Sequence, residues 1–206
     1  MNMTDHARAE RRLLADLLTE IGPDAPTCCT GWDTRDLAAH LVVRERRPDA
    51  IAGNFITPLA GHGEHIRKQT ATRPYDEIIA ELRTPPWWSM VSNPVTDELA
   101  NGIEFFIHHE DVRRAQPGWE PRDLTPEHQG SLWKAAKLTS RMVLRKHKPI
   151  RVESPGFGVF QVGDGTPAAT LIGPPAELVL FLSGRQPHAR IDITGDESIR
   201  TADLSH

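Results

Sequence analysis

The chain has 206 residues, 38% of them hydrophobic and 25% charged, with a formal net charge of −4 and a pI near 6.2. Length and composition are those of a globular protein that can bury a core without disulfide staples, which excludes the disordered and fibrous classes. The mild acidity gives no electrostatic reason to expect nucleic acid or an anionic membrane surface as a partner.

The opening stretch MNMTDHARAERR sets charges where a secretory leader needs an apolar run, and the longest apolar run, at 178–182, is too short to span a bilayer. A cytoplasmic protein without a membrane partner is therefore expected. Over residues 5–21, Leu14, Leu17, Leu18 and Ile21 follow helical spacing, and Gly22 and Pro23 close this first helix. Cys28 and Cys29 are adjacent, so they cannot form an ordinary disulfide with each other and make no zinc-ligand spacing. A second helix starts after Trp32, where Asp33 can cap the amides and Leu37, His40 and Leu41 share a face, and runs to about Ile51.

Residues 52–73, rich in Gly, Thr and His and without a sustained period, read as a long connection. His62 and His65 in GHGEH have a ligand-like spacing, but their flanking glycines argue against a fixed geometry. A short helix is predicted over 75–82. Pro85, Pro86, Trp87 and Trp88 interrupt the chain, the tryptophans reading as packing mass. Pro94 then suits the start of a helix running to about Ala115. A fourth long helix over 126–146 places Leu132, Ala135, Ala136, Thr139 and Val143 inside. Four long helices with one long crossover predict a four-helix bundle over residues 1–148.

After Pro149 the composition turns to β-type segments at 151–154, 159–162, 169–172 and 190–194, with a helix near 175–183. The fold class is thus mainly α, with a small α+β domain or extension over 149–206. The basic cluster Arg141, Arg145, Lys146, His147, Lys148 and Arg151 needs only the dipole of the preceding helix to explain it. Arg185, behind Gly184, is a candidate for holding an anion.

Chemistry concentrates in GIEFFIHHEDVRRA, residues 102–115. Glu104 and His108 stand four apart, one above the other on a helical face, and Asp111 lies close to the same line. Apolar neighbours Ile103, Phe105, Phe106 and Ile107 make burial of the carboxylate plausible, and a buried carboxylate is costly unless paired or coordinated. His40 interrupts an apolar face on another helix and supplies a third donor. Two imidazoles and a carboxylate suit zinc, nickel, iron or manganese and leave a coordination position open, as catalytic sites do. His109 and Glu110 point elsewhere and are assigned to solvent or to the surroundings of the site, and Asp111 either orients a ligand or meets Arg113 or Arg114. Spacing alone equally fits a helix-stabilising Glu104–His108 pair with His40 as a satisfied core histidine.

The segment CTGWDTRDLAAHL, residues 29–41, resembles the "C-x-G-W-x-x-x-D-L-x-x-H-L" signature of the mycothiol-dependent maleylpyruvate isomerase family within the DinB-like metal-binding superfamily. Glu104, His108, His109 and Asp111 match that family's Glu-x-x-x-His followed by a second His and an Asp. The segment PAELVLFLSGR, residues 175–185, resembles its C-terminal helix and "GR" turn. The resemblance implies a four-helix bundle with a small α+β domain and His40, Glu104 and His108 as ligands of a divalent metal, zinc foremost. Mycothiol as thiol and a small electrophile as substrate are also implied, in a thiol-dependent transferase or isomerase of unassigned particular activity. Two alternatives stay open, a metal-stabilised binding or sensor protein with Asp111 or His109 closing the site, and a mononuclear iron oxygenase.

Overall fold

The structure, a computed structural model, describes residues 3–47, 49, 61–84, 86 and 97–204. It is mainly helical, with a small four-stranded sheet near the C-terminus. The chain divides into two compact units, residues 2–119 and 120–206.

The first unit is a helical bundle. Its helices are α1 (Met3–Ile21), α2 (Thr34–Arg46), α3 (His62–Ala71), α4 (Tyr75–Arg83) and α5 (Asp97–Arg113). α1 ends where the Gly22 amide closes on Leu18 O at 3.1 Å. α2 begins as its sequence dictates, with the Asp33 carboxylate accepting from the Asp36 amide at 2.8 Å, satisfying one of the amides that a helix start leaves without a partner. The core is formed by Leu14, Ala15 and Leu18 of α1, Leu37, Ala38, Leu41 and Val42 of α2, Ile78, Ile79 and Leu82 of α4, and Phe105 and Val112 of α5. These are the three- and four-residue steps that put side chains on one helical stripe.

Two expectations are corrected here. Residues 62–71, read as part of a connection, are helical. Ile66 is buried with Val43, and the Arg67 guanidinium, itself buried, binds Asp36 of α2 and Glu64 of its own turn. A non-local ion pair thus fixes a helix whose apolar period is too weak to read. His62, at its start, lies 3.0 Å from Asp49. The second helix stops at Arg46, short of Ile51. Expectations placed on Trp87, Trp88 and Pro94 lie outside the described residues.

The second unit opens with α6 (Pro126–Val143), capped by Thr125, whose hydroxyl accepts from the His128 amide at 3.3 Å. The strands follow as β1 (Ile150–Ser154), β2 (Gly158–Val162), β3 (Ala169–Ile172) and β4 (Asp192–Gly195), with α7 (Pro175–Leu182) between the last two. The sheet order is β2-β1-β3-β4, with β1 and β3 parallel and both outer pairs antiparallel. α6 packs against α7 and against β2, where Trp133 lies 5.0 Å from Phe160 between ring centroids. This is why the division falls at 119/120 and not after 148: the buried face of α6, read as a fourth bundle helix, is covered by the α+β elements. Gly184, at φ +81°, ends α7, and the Arg185 amide returns to Leu180 O at 3.0 Å, a left-handed turn that glycine adopts without steric cost. Arg185 itself donates to Ser183 O at 2.7 Å. No described helix is long and apolar enough to cross a membrane.

Candidate metal centre

The bundle brings His40, Glu104 and His108 together. His40 sits in the second turn of α2, with Trp32 over its ring at 5.0 Å between centroids. Glu104 and His108 face it from successive turns of α5. The donor atoms converge: Glu104 Oε1 lies 3.4 Å from His40 Nε2 and 3.3 Å from His108 Nε2, and the three ligand atoms all lie within 4.8 Å of one another. A tetrahedral ion with bonds of about 2.0–2.1 Å spaces its ligand atoms about 3.3–3.4 Å apart. A charge-assisted hydrogen bond would draw them to about 2.7–2.9 Å. The two spacings at Glu104 Oε1 are those an ion would set, so the three residues could hold a divalent ion.

The far side of the His108 ring is equally built. Its Nδ1 lies 2.9 Å from Asp111 Oδ2, and the same oxygen accepts from Cys29 Sγ at 3.1 Å. Cys29 Sγ is also 3.8 Å from His108 Nδ1. Cys29, His108 and Asp111 thus make a second group of potential ligands, but this group uses the ring nitrogen that Asp111 already engages. An imidazole whose Nδ1–H is held by a carboxylate presents Nε2 as a lone pair in a fixed direction, the usual outer support of a metal-binding histidine. The backbone seals the arrangement, since the Cys28 amide donates to Asp111 O at 2.9 Å.

Electrostatics follow the geometry. Burial opposes ionisation of Glu104, but hydrogen bonds from His108 and His40 and the charge of Arg44 hold it well below the usual carboxylate range. Burial likewise disfavours a charged His108, yet its bonds to Asp111, Cys29 and Glu104 raise it well above an ordinary histidine. His40 is lowered, chiefly by burial and further by His108 and Arg44.

Two assignments change. His109 and Glu110, expected at solvent or around the site, are buried: His109 Nδ1 meets Glu10 at 2.8 Å, and Glu110 binds Arg113 at 2.9 Å and Arg114 at 2.6 Å. Asp111 meets His108, the first of the two roles open to it from the sequence. With Asp111 on the opposite ring nitrogen and His109 turned to α1, neither reaches the point where the three donors meet. Sequence reasoning passed over Cys29 as a small buried residue, although the signature that carries His40 begins with it. It also passed over Arg44, one turn beyond His40 on the same face of α2, whose Nε is 3.4 Å from Glu104 Oε1.

No family model matches the sequence, and no curated protein matches it. A solved structure does share its fold. The crystal structure of the mycothiol-dependent maleylpyruvate isomerase aligns with 93% of this chain and 91% of that chain at a TM-score of 0.61 and 14% sequence identity. A helical bundle carrying a cluster able to hold one metal ion, on the fold of a thiol-dependent isomerase, is the class that fold and site define.

Proposed function

We propose that the chain binds one divalent ion, zinc foremost with nickel, iron and manganese as rivals, through His40 Nε2, Glu104 Oε1 and His108 Nε2. We propose further that it acts as a thiol-dependent transferase or isomerase on a small electrophile. The carrying observation is the spacing of Glu104 Oε1 at 3.4 and 3.3 Å from the two imidazole nitrogens, which suits an ion shared by all three. An ion held there supplies a Lewis acid with a position left over, at which a thiol loses its proton far more readily than in water.

The chain's own residues set the rest. Asp111 holds the Nδ1 proton of His108 and so keeps Nε2 directed inward. Glu104 contributes the charge, and His40, low in proton affinity, offers its lone pair at neutral pH. The side chains of His40 and Glu104 are 31% and 28% exposed, while that of His108 is 8%, so the cluster has a closed floor and a side a small molecule can approach. The thiol proposed is mycothiol, on which the isomerase of similar fold depends. Its sulfur would form a bond to an electrophilic carbon of a conjugated substrate while the π electrons move onto the acceptor group. Return of the thiol's proton to the substrate and release of the adduct is transfer; rotation about the new single bond followed by expulsion of the thiolate is cis-trans isomerisation. A reducing cytoplasm fits two cysteines that form no disulfide.

Cobalt(II) in the site makes thiol approach visible. Addition of 2-mercaptoethanol is expected to produce sulfur-to-cobalt absorption in the near ultraviolet. A spectrum unmoved by any low-molecular-weight thiol would remove the thiol chemistry and leave only the metal. A second expectation concerns pH. Bonds to Asp111, Cys29 and Glu104 raise the proton affinity of His108 above that of an ordinary histidine, and coordination must expel any proton on Nε2. The sign follows: where Nε2 carries a proton, uptake releases it, so apparent affinity falls as pH is lowered, by about tenfold per unit while His108 is protonated. Zinc titrations against a competing chelator from pH 6 to 8 read this directly, and a flat profile would contradict it.

A further inference from the structure

We infer that Cys29 Sγ, His108 Nδ1 and Asp111 Oδ2 form a second metal seat, for a thiophilic ion, and that filling it empties the first because both seats use one imidazole. The exclusion rests on the metal site proposed above; the second seat itself does not. Sulfur, nitrogen and oxygen reach it from two parts of the bundle. His108 and Asp111 stand one turn apart on α5, both buried, and Cys29 comes from the segment ahead of α2. That segment is braced: the Cys29 amide donates to Thr27 Oγ1 at 3.1 Å, and the Trp32 amide donates to Cys29 O at 3.0 Å. The three ligand atoms lie 2.9, 3.1 and 3.8 Å apart. A zinc-sized ion with one sulfur ligand would space them about 3.3–3.6 Å apart, a movement of about half an ångström at most. Cys29 is half-buried, so an ion can enter from its side.

Each nitrogen of the His108 ring faces a carboxylate oxygen, Asp111 Oδ2 at 2.9 Å from Nδ1 and Glu104 Oε1 at 3.3 Å from Nε2. A neutral imidazole carries one proton and one lone pair. With the proton on Nδ1, facing Asp111, the lone pair on Nε2 completes the first seat with His40 and Glu104. With the proton on Nε2, facing Glu104, the lone pair on Nδ1 completes the second with Cys29 and Asp111. An ion entering the second seat takes the place of the thiol proton and of the proton on Nδ1, and the ring holds its one proton on Nε2. His40 and Glu104 are then left without their third donor. Softness decides between the seats. The first offers only nitrogen and oxygen, whereas the second adds a thiolate, which thiophilic ions prefer. Filling the second also gives up two hydrogen bonds into Asp111, so an ion gains by it only through a strong bond to sulfur.

Cadmium(II), as the thiophilic probe, is titrated into the full chain after metal has been stripped from it and cobalt(II) loaded. Each cadmium ion bound is expected to raise sulfur-to-cadmium absorption in the ultraviolet and to release one cobalt ion, seen as loss of the visible cobalt bands. In Cys29→Ser the ultraviolet absorption should be absent, and cobalt should withstand about tenfold more cadmium or better, its retained bands reporting an intact bundle. Cys28→Ser should behave as the wild type does. In metal-free Glu104→Ala the cadmium absorption should persist, since Glu104 serves only the first seat. Absorption that survives in Cys29→Ser, or that never appears in the wild type, would overturn the inference, as would cadmium and cobalt held together in one chain. A wild type that takes up no cobalt yet shows Cys29-dependent cadmium absorption would instead remove the proposed function and leave the second seat standing.

Discussion

Alanine at His108 is expected to leave the purified chain with less than a tenth of the metal that the wild type carries. The ring is the shared element of the site, with Nε2 in the donor triangle and Nδ1 anchored at 2.9 Å to Asp111. Outer partners of metal-binding histidines are typically worth about 10–100-fold in affinity, so removal of the ligand itself should cost more. His40→Ala and Glu104→Ala should behave alike, and they guard against trivial loss of fold because both side chains are partly exposed. Elemental mass spectrometry on untagged protein purified without chelator gives the answer as ions per chain. About one ion in the wild type, lost in all three variants with helical circular dichroism retained, supports the site. A wild type that neither carries nor takes up metal means that Glu104 and His108 are only a helix pair.

The second large effect lies away from the chemistry. Glu45 of α2 is 4% exposed and receives the Arg11 guanidinium of α1 with both oxygens, one at 2.6 Å from Nη1. Arg11 also donates to Leu82 O at 3.0 Å and lies 4.4 Å above the Phe105 ring, so one side chain joins α1, α2, α4 and α5. Removing one partner of a buried ion pair strands the other charge, at a cost of about 3–5 kcal/mol. Glu45→Ala should accordingly lower the urea midpoint of the bundle by that equivalent. The double variant Arg11→Met with Glu45→Leu should recover most of the loss, since apolar replacement of a whole buried pair is often neutral. Equal instability of the single and double variants would contradict this account.

Much of the cluster was legible because its information is local. Glu104 and His108 are held in register by a helix that any reader of spacing predicts, and Asp33 announces the start of α2, which fixes the face that His40 occupies. The β segments and α7 were readable through alternation and through Gly184. What escaped was non-local. His109 was assigned to solvent or to the surroundings of the site because a polar residue off the ligand face ordinarily meets one or the other, but its partner Glu10 lies 99 residues away. α3 escaped because Arg67, a residue no apolar pattern registers, is what binds it to α2. α6 has an inner stripe that does not say which layer will cover it, so its allegiance to the sheet and α7 could not be read from periodicity. Cys29 was visible as a letter in the signature, yet only the fold puts its sulfur on Asp111.

The distance along the chain between His40 and Glu104, 64 residues, has a consequence for how such a centre is born. In a zinc finger the ligands sit close in sequence and the ion itself drives a short peptide to fold. Here α1, α4 and α5 must already enclose the shared core before the two donors meet, because closing so long a loop for a single contact is entropically unfavourable. An ion taken up by the proposed site would therefore arrive late and meet finished architecture. A nascent or misassembled chain would present scattered imidazoles with no claim on it, and occupancy of the proposed site would mark the molecules whose bundle has closed.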